Sequence, residues 1–172
     1  KYSLSKKSLL VWLRELSKQV KVVNIVLEHV YGPYDSRSKF VESVIQQVAV
    51  ERILRVGLTQ GFQKRDFIYV EDVVDAYMCL IEHGISHEFS FEEFEVGTGT
   101  STRIRDLAET IKKVANSKTK LGFGDLPIRD NEAMDSKANI AALKELGWIP
   151  KTTMEEGLSG ILTAYGVEVS GA

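Results

Sequence analysis

A tyrosine and a lysine stand four residues apart at the start of the chain, in "KYSLSKKSLL". A helix over this stretch places Tyr2 and Lys6 on one face, one turn apart. An unperturbed phenol titrates near ~10 and is a poor acid or base at neutral pH. A neighbouring ammonium favours the phenolate and lowers that value. Such a pair can pass a proton to or from a carbonyl or alcohol oxygen. The pair alone is not specific, because a helix start with a solvent-facing Lys is spelled the same way.

Two arginines could hold an anion. Arg65 lies in "GFQKRDFIYVEDVVDAY", between an extended segment and a helix, and Arg129 lies in the loop "GDLPIRDNEAM". A guanidinium is a planar fork that grips a phosphate or diphosphate. The competing reading of Arg65 is a surface salt bridge to Asp66 or Glu71. His29 follows an apolar strand and precedes "VYGP", at a strand end where an α/β protein would bind its ligand. The competing reading is a satisfied polar residue. His83 and His87 are expected in a helix-end loop without a carboxylate or Cys framework, so no metal site is expected. Gly97-Thr98-Gly99 tempts one toward a dinucleotide fingerprint, but Thr102 stands in place of the third glycine and no strand with an acidic residue follows. It reads as a tight strand-to-helix turn.

These residues need elements to carry them. Leu9, Leu13 and Leu16 repeat at helical spacing over residues 3–19. "VKVVNIVLEHVY" is rich in β-branched residues and predicts a buried strand. "GPYD" interrupts, and "KFVESVIQQVAV" predicts a helix with Phe40, Val41, Val44, Ile45 and Val48 on one side. "ILRVGLTQG" and "DFIYV" predict extended segments. "VEDVVDAYMCLIEHG" predicts a helix closed by Gly84, with Cys79 in its apolar interior. "FEEFEVGTG" predicts a strand, and "STRIRDLAETIKKVAN" a helix with a Ser or Thr cap. "KANIAALKELG" and "MEEGLSGILTAYG" predict two more helices. The alternation predicts an α/β architecture.

The 172 residues suffice for one domain with a core, and 44% hydrophobic with 27% charged residues is ordinary for a globular chain. A net charge of -2 gives no support for a nucleic-acid or polybasic membrane partner. The single Cys79 excludes an internal disulfide and favours a reducing, cytoplasmic compartment. No apolar run is long enough to span a bilayer.

Taken in order, "YSLSK", "HVYGP", "QKRDFIYVEDVVDAY", "FEVGTG", "LPIRDNE" and "LGWIPKTTMEEGL" resemble the C-terminal half of extended short-chain dehydrogenases/reductases, the NAD-dependent epimerase/dehydratase family acting on nucleotide sugars. The resemblance runs from Tyr2 to about Leu158 and rests on the order of six motifs. It implies the last strands of a doubly wound Rossmann-type sheet plus a small α/β sugar-nucleotide-binding domain over residues 1–172. The N-terminal Gly-rich half that holds the cofactor pyrophosphate, and the family's catalytic Ser or Thr, would lie upstream. Tyr2 would be the general acid/base, and Lys6 would bind the nicotinamide ribose of NAD or NADP and tune Tyr2. Leu27 and Glu28 would lie where the backbone approaches the nicotinamide. His29 stands where the family usually has Asn, a residue that contacts substrate, and Val26 where many members have Arg. Arg65 and Arg129 would bind the substrate diphosphate, and Glu132 would lie near its ribose. "LEHVYGP" with "QKRDFIYV" is most similar to reductases of CDP-4-keto-3,6-dideoxy sugars in O-antigen synthesis. The alternatives are a UDP-hexose 4-epimerase and a non-catalytic sugar-nucleotide-binding module. A homodimer through the helix bearing Tyr2 is a further expectation, and residues 1–172 alone are expected not to turn over.

Overall fold

The computed structural model describes residues 2–169, and the side chains from residue 4 onward. Helix α1 (Tyr2–Leu16) leads into strand β1 (Val22–Leu27), which pairs in parallel with β6 (Phe91–Val96). Side chains alternate across this ladder. Phe91 faces α1, where the Arg14 guanidinium lies 5.2 Å from its ring. Phe94 and Val96 face the other way, into a core shared with Val73, Ala76 and Leu80 of α3 (Val70–Ser86) and with Leu143 of α5 (Ala141–Glu145).

The predicted strand "VKVVNIVLEHVY" is broken at one residue. The Glu28 amide still donates to Val96 O, but the next amide, of His29, donates to Asp66 O. The chain thereby leaves β6 and continues as β2 (His29–Tyr31), parallel to β5 (Phe67–Tyr69). Two further ladders follow: β3 (Arg55–Leu58) pairs in parallel with β8 (Lys120–Phe123), and β4 (Lys64–Arg65) pairs antiparallel with β7 (Thr102–Arg103).

A second core lies under these ladders. α4 (Ile104–Val114) buries Ile104, Leu107, Ala108, Ile111 and Val114, the i, i+3, i+4, i+7 stripe of an amphipathic helix. α2 (Phe40–Ile45) adds Val41, Val44 and Ile45, and α6 (Met154–Ala164) adds Leu158, Ile161 and Leu162. Each fully buried Ile or Leu side chain contributes roughly 1.5–3 kcal/mol relative to exposure.

Five local expectations are corrected. Gly84 does not close α3: the helix runs to Ser86, with His87 as its C-cap. His83 therefore sits inside the helix rather than in a loop, where Glu92 Oε2 meets its Nε2 at 2.7 Å. α4 has no Ser or Thr cap, because Thr102 and Arg103 are taken into β7 and Arg103 holds the cap position. The helix after Phe40 widens into a π turn over Gln46–Val50, and β8 arises in "KLGF", where no strand was expected. α6 starts on a capping box: Thr153 Oγ1 accepts from the Glu156 amide while Glu156 Oε2 accepts from the Thr153 amide.

Candidate active site

Parallel pairing brings the carboxyl ends of β1 and β6 together, since Leu27 is in register with Val96. Glu28 and the Gly97-Thr98-Gly99 turn therefore emerge side by side. Asp66 lies beneath that turn and is fully buried. Its Oδ1 accepts from the Thr98 amide at 2.8 Å and the Thr98 hydroxyl at 2.6 Å. Its Oδ2 accepts from the Gly99 amide at 2.8 Å and the Ala138 amide at 3.2 Å. Neutral dipoles thus satisfy a buried carboxylate on both oxygens. Gly97 is obligatory, because a Cβ there would stand 2.5 Å from Asp66 Oδ2 and 2.7 Å from Ala138 Cβ. Gly99 has φ +76°, a conformation that favours glycine. The turn leads from β6 into the short strand β7 rather than directly into a helix, and its amides at Thr98 and Gly99 are spent inside the protein.

Arg65, the residue before Asp66, turns the other way. It is buried, and Nη1 donates to Lys64 O at 2.7 Å and Ala133 O at 2.6 Å. Nη2 donates to Glu132 Oε1. The competing reading, a surface salt bridge to Asp66 or Glu71, does not hold: Asp66 is held by the turn, and the acid facing Arg65 is Glu132. The candidate residues Arg65 and Glu132 are thus brought together. A guanidinium carries five N–H donors, and the three bonds named use three of them.

Residues 132–139 form a strap across these strand ends. Lys64 N donates to Met134 O at 2.8 Å, Ser136 Oγ lies 2.8 Å from Glu28 Oε1, and Asn139 N donates to Glu95 Oε2 at 2.6 Å. Arg129 precedes the strap and is exposed, with no hydrogen bond or ion pair from its side chain among the described residues. His29 is half-exposed at the start of β2, with Nδ1 3.4 Å from Glu28 Oε2. Leu27 is 42% exposed at the end of β1. Tyr2 opens α1, and its side chain lies outside those described. Lys6 lies one turn on, exposed. Among the described residues no group of His, Cys, Asp and Glu could hold a metal ion.

Asp66, Glu28 and Ser136 were missed from sequence as a group. An acid sandwiched between Arg and Phe in an otherwise apolar segment was the one available signal for Asp66. Nothing in "AMDSKANI" marks Ser136.

The fold and this strand-end site define an α/β protein of the Rossmann type. Residues 1–97 match the NAD dependent epimerase/dehydratase family, and the chain belongs to that family. It is 37% identical over 141 residues to a CDP-abequose synthase of Salmonella muenchen, covering 82% of this chain and 47% of the relative. It is 30% identical over 170 residues to a dTDP-4-dehydro-6-deoxyglucose reductase of Escherichia coli, covering 94% of this chain and 51% of the relative. The chain thus spans about half the length of these relatives. Among solved structures, RMD from Pseudomonas aeruginosa complexed with NADPH superposes with a TM-score of 0.84 at 24% identity, over 95% of this chain and 55% of that one. UDP-glucose 4-epimerase from Thermotoga maritima with UDP-glucose gives 0.82 at 23% identity, over 96% and 53%. These two likenesses speak to the fold.

Proposed function

We propose that the chain is the catalytic-helix and substrate-binding half of a nucleotide-sugar oxidoreductase, a 4-ketoreductase of a CDP-deoxy-sugar acting in O-antigen synthesis. The observation that carries this reading is the buried Arg65, clamped by Glu132 with two donors left over, together with the exposed Arg129 three residues before Glu132. Two guanidinium forks linked through Glu132 in this way suit a diphosphate. The identity to CDP-abequose synthase supports CDP as the nucleotide.

The nicotinamide end of NAD or NADP fits the half-exposed Leu27, with His29 beside it and Lys6 on the ribose. The Gly97-Thr98-Gly99 turn does not fit the pyrophosphate, since Asp66 already occupies its amides. The pyrophosphate site belongs to an N-terminal half of the same protein. When bound, the cofactor supplies the hydride that reduces a 4-keto carbon. Tyr2 gives its proton to the alkoxide that forms, with Lys6 one helical turn on. Arg65 and Arg129 fix the diphosphate and so orient the sugar. The family affiliation supports a catalytic half over a binding module alone.

Thermal unfolding with CDP, UDP, dTDP and GDP at matched concentrations tests the reading. A ligand at about 100 times its dissociation constant adds roughly 2.7 kcal/mol of stability. The expected result is stabilisation by CDP that Arg129→Ala and Arg65→Ala each weaken, the latter by roughly 2–5 kcal/mol of binding. A UDP preference would move the assignment to a UDP-hexose 4-epimerase. Stabilisation by none of the four would sink the nucleotide-sugar assignment for this chain.

A further inference from the structure

The break between β1 and β2 holds a carboxylate and a hydroxyl, Glu28 and Ser136, that the proposed function leaves unused. Glu28 sits at the residue where the chain changes ladder. Its side chain is 17% exposed, and Ser136 Oγ lies 2.8 Å from Oε1 and 3.0 Å from Oε2. Ser136 belongs to the strap, so a distant part of the chain fixes this carboxylate. The same Oε2 lies 3.4 Å from His29 Nδ1, a long hydrogen bond. The imidazole also meets Phe67 edge-on, with centroids 5.7 Å apart, while 49% of the side chain stays open.

An ionised carboxylate only accepts hydrogen bonds, so His29 Nδ1 carries the proton. In its neutral form the ring then keeps its lone pair on Nε2. A lone pair accepts from a hydroxyl. It has nothing to offer a phosphate oxygen, which is itself an acceptor.

We propose that Glu28 is a positioning residue that, braced by Ser136, fixes His29 in the Nδ1–H form, so that Nε2 reads a hydroxyl of the sugar rather than the diphosphate. The ligand part rests on the nucleotide-sugar reading above; the clamp does not. Selectivity at this position then comes from a donor on the substrate. A sugar lacking that hydroxyl leaves the Nε2 lone pair without a partner.

The clamp is tested by long-range 1H–15N correlation spectra of the histidine rings in the 172-residue chain at neutral pH. Wild-type His29 should show the Nδ1–H pattern and Glu28→Ala the Nε2–H pattern. Glu28→Gln, whose amide oxygen still accepts, should keep the wild-type pattern. A wild-type ring in the Nε2–H form, or a ring unmoved by Glu28→Ala, overturns the positioning role. The ligand part is tested by calorimetric titration with CDP and with CDP-glucose. His29→Phe should weaken CDP-glucose by roughly 3- to 10-fold, the worth of one neutral hydrogen bond, and leave CDP unchanged. Equal weakening of both would assign His29 to the phosphates or base and overturn the hydroxyl reading. Binding of neither by the wild-type chain overturns the nucleotide-sugar reading and the ligand part with it, while the spectra judge the clamp independently.

Discussion

Asp66 and Glu132 are two acids held against the same strand ends, and they are held in different ways. Asp66 is fully buried and faces four donors, three of them backbone amides. Its charge is balanced by neutral dipoles that cannot leave. Glu132 sits a quarter exposed and faces one cation, the Arg65 guanidinium. The first arrangement has no capacity left for anything outside the protein. The second keeps donors in reserve beside solvent, which is what an anion site requires. Burial and partner type therefore separate an architectural acid from a ligand-facing one, although Arg65 and Asp66 are adjacent in the chain.

Asp66→Ala tests that separation most severely. It strands the Thr98, Gly99 and Ala138 amides in the interior, at an expected cost of roughly 3–5 kcal/mol. Urea unfolding would measure it, and a loss under about 1 kcal/mol would show that water replaces the carboxylate easily. Glu132→Ala should cost less, about 1–2 kcal/mol, because the pair is partly exposed and solvent screens what remains. A loss as large as that of Asp66→Ala would put both acids in one structural class. The smallest effect is expected away from the site, at the capping box of α6. Thr153→Ala removes the cap and should cost about 1 kcal/mol. Bonds from the Thr153 hydroxyl and amide hold the Glu156 carboxyl below its usual range. A carboxyl whose folded value is depressed contributes stability that is present above its ordinary value and lost as pH falls through the folded value. Thermal unfolding followed below pH 5 should therefore show an acid loss that is reduced in Thr153→Ala, and identical pH profiles would remove Glu156 from the account.

The helical stripes were legible in the sequence. Ile104 to Val114 and Val41 to Ile45 repeat at 3.6-residue spacing, and the structure buries them. The β-branched run at Val22 was legible as a strand because parallel strands read as continuous apolar runs. Its break at Glu28 was not, since the change of partner is decided by Asp66 and Val96 from distant segments. β8 escaped for the same reason: "KLGF" becomes a strand only because Arg55–Leu58 lies beside it. Within the candidate site, Arg65, Arg129, Glu132 and His29 were visible through motif order. Glu28, Asp66 and Ser136 act through tertiary contacts that leave no local spacing to read.

The four ladders carry a consequence for how the chain reaches this structure. Val22 pairs with Phe91, His29 with Phe67, Arg55 with Lys120 and Lys64 with Arg103. None is a hairpin. Each requires a long stretch of chain to be closed before its first bond forms, and the β3–β8 closure straddles the β1–β6 one rather than nesting within it. Loop-closure entropy is then spent before any sheet rewards it, the condition for slow folding. During that interval the apolar β1 segment is made and unpaired, so the nascent chain depends on whatever shields it until residue 91 and its neighbours arrive.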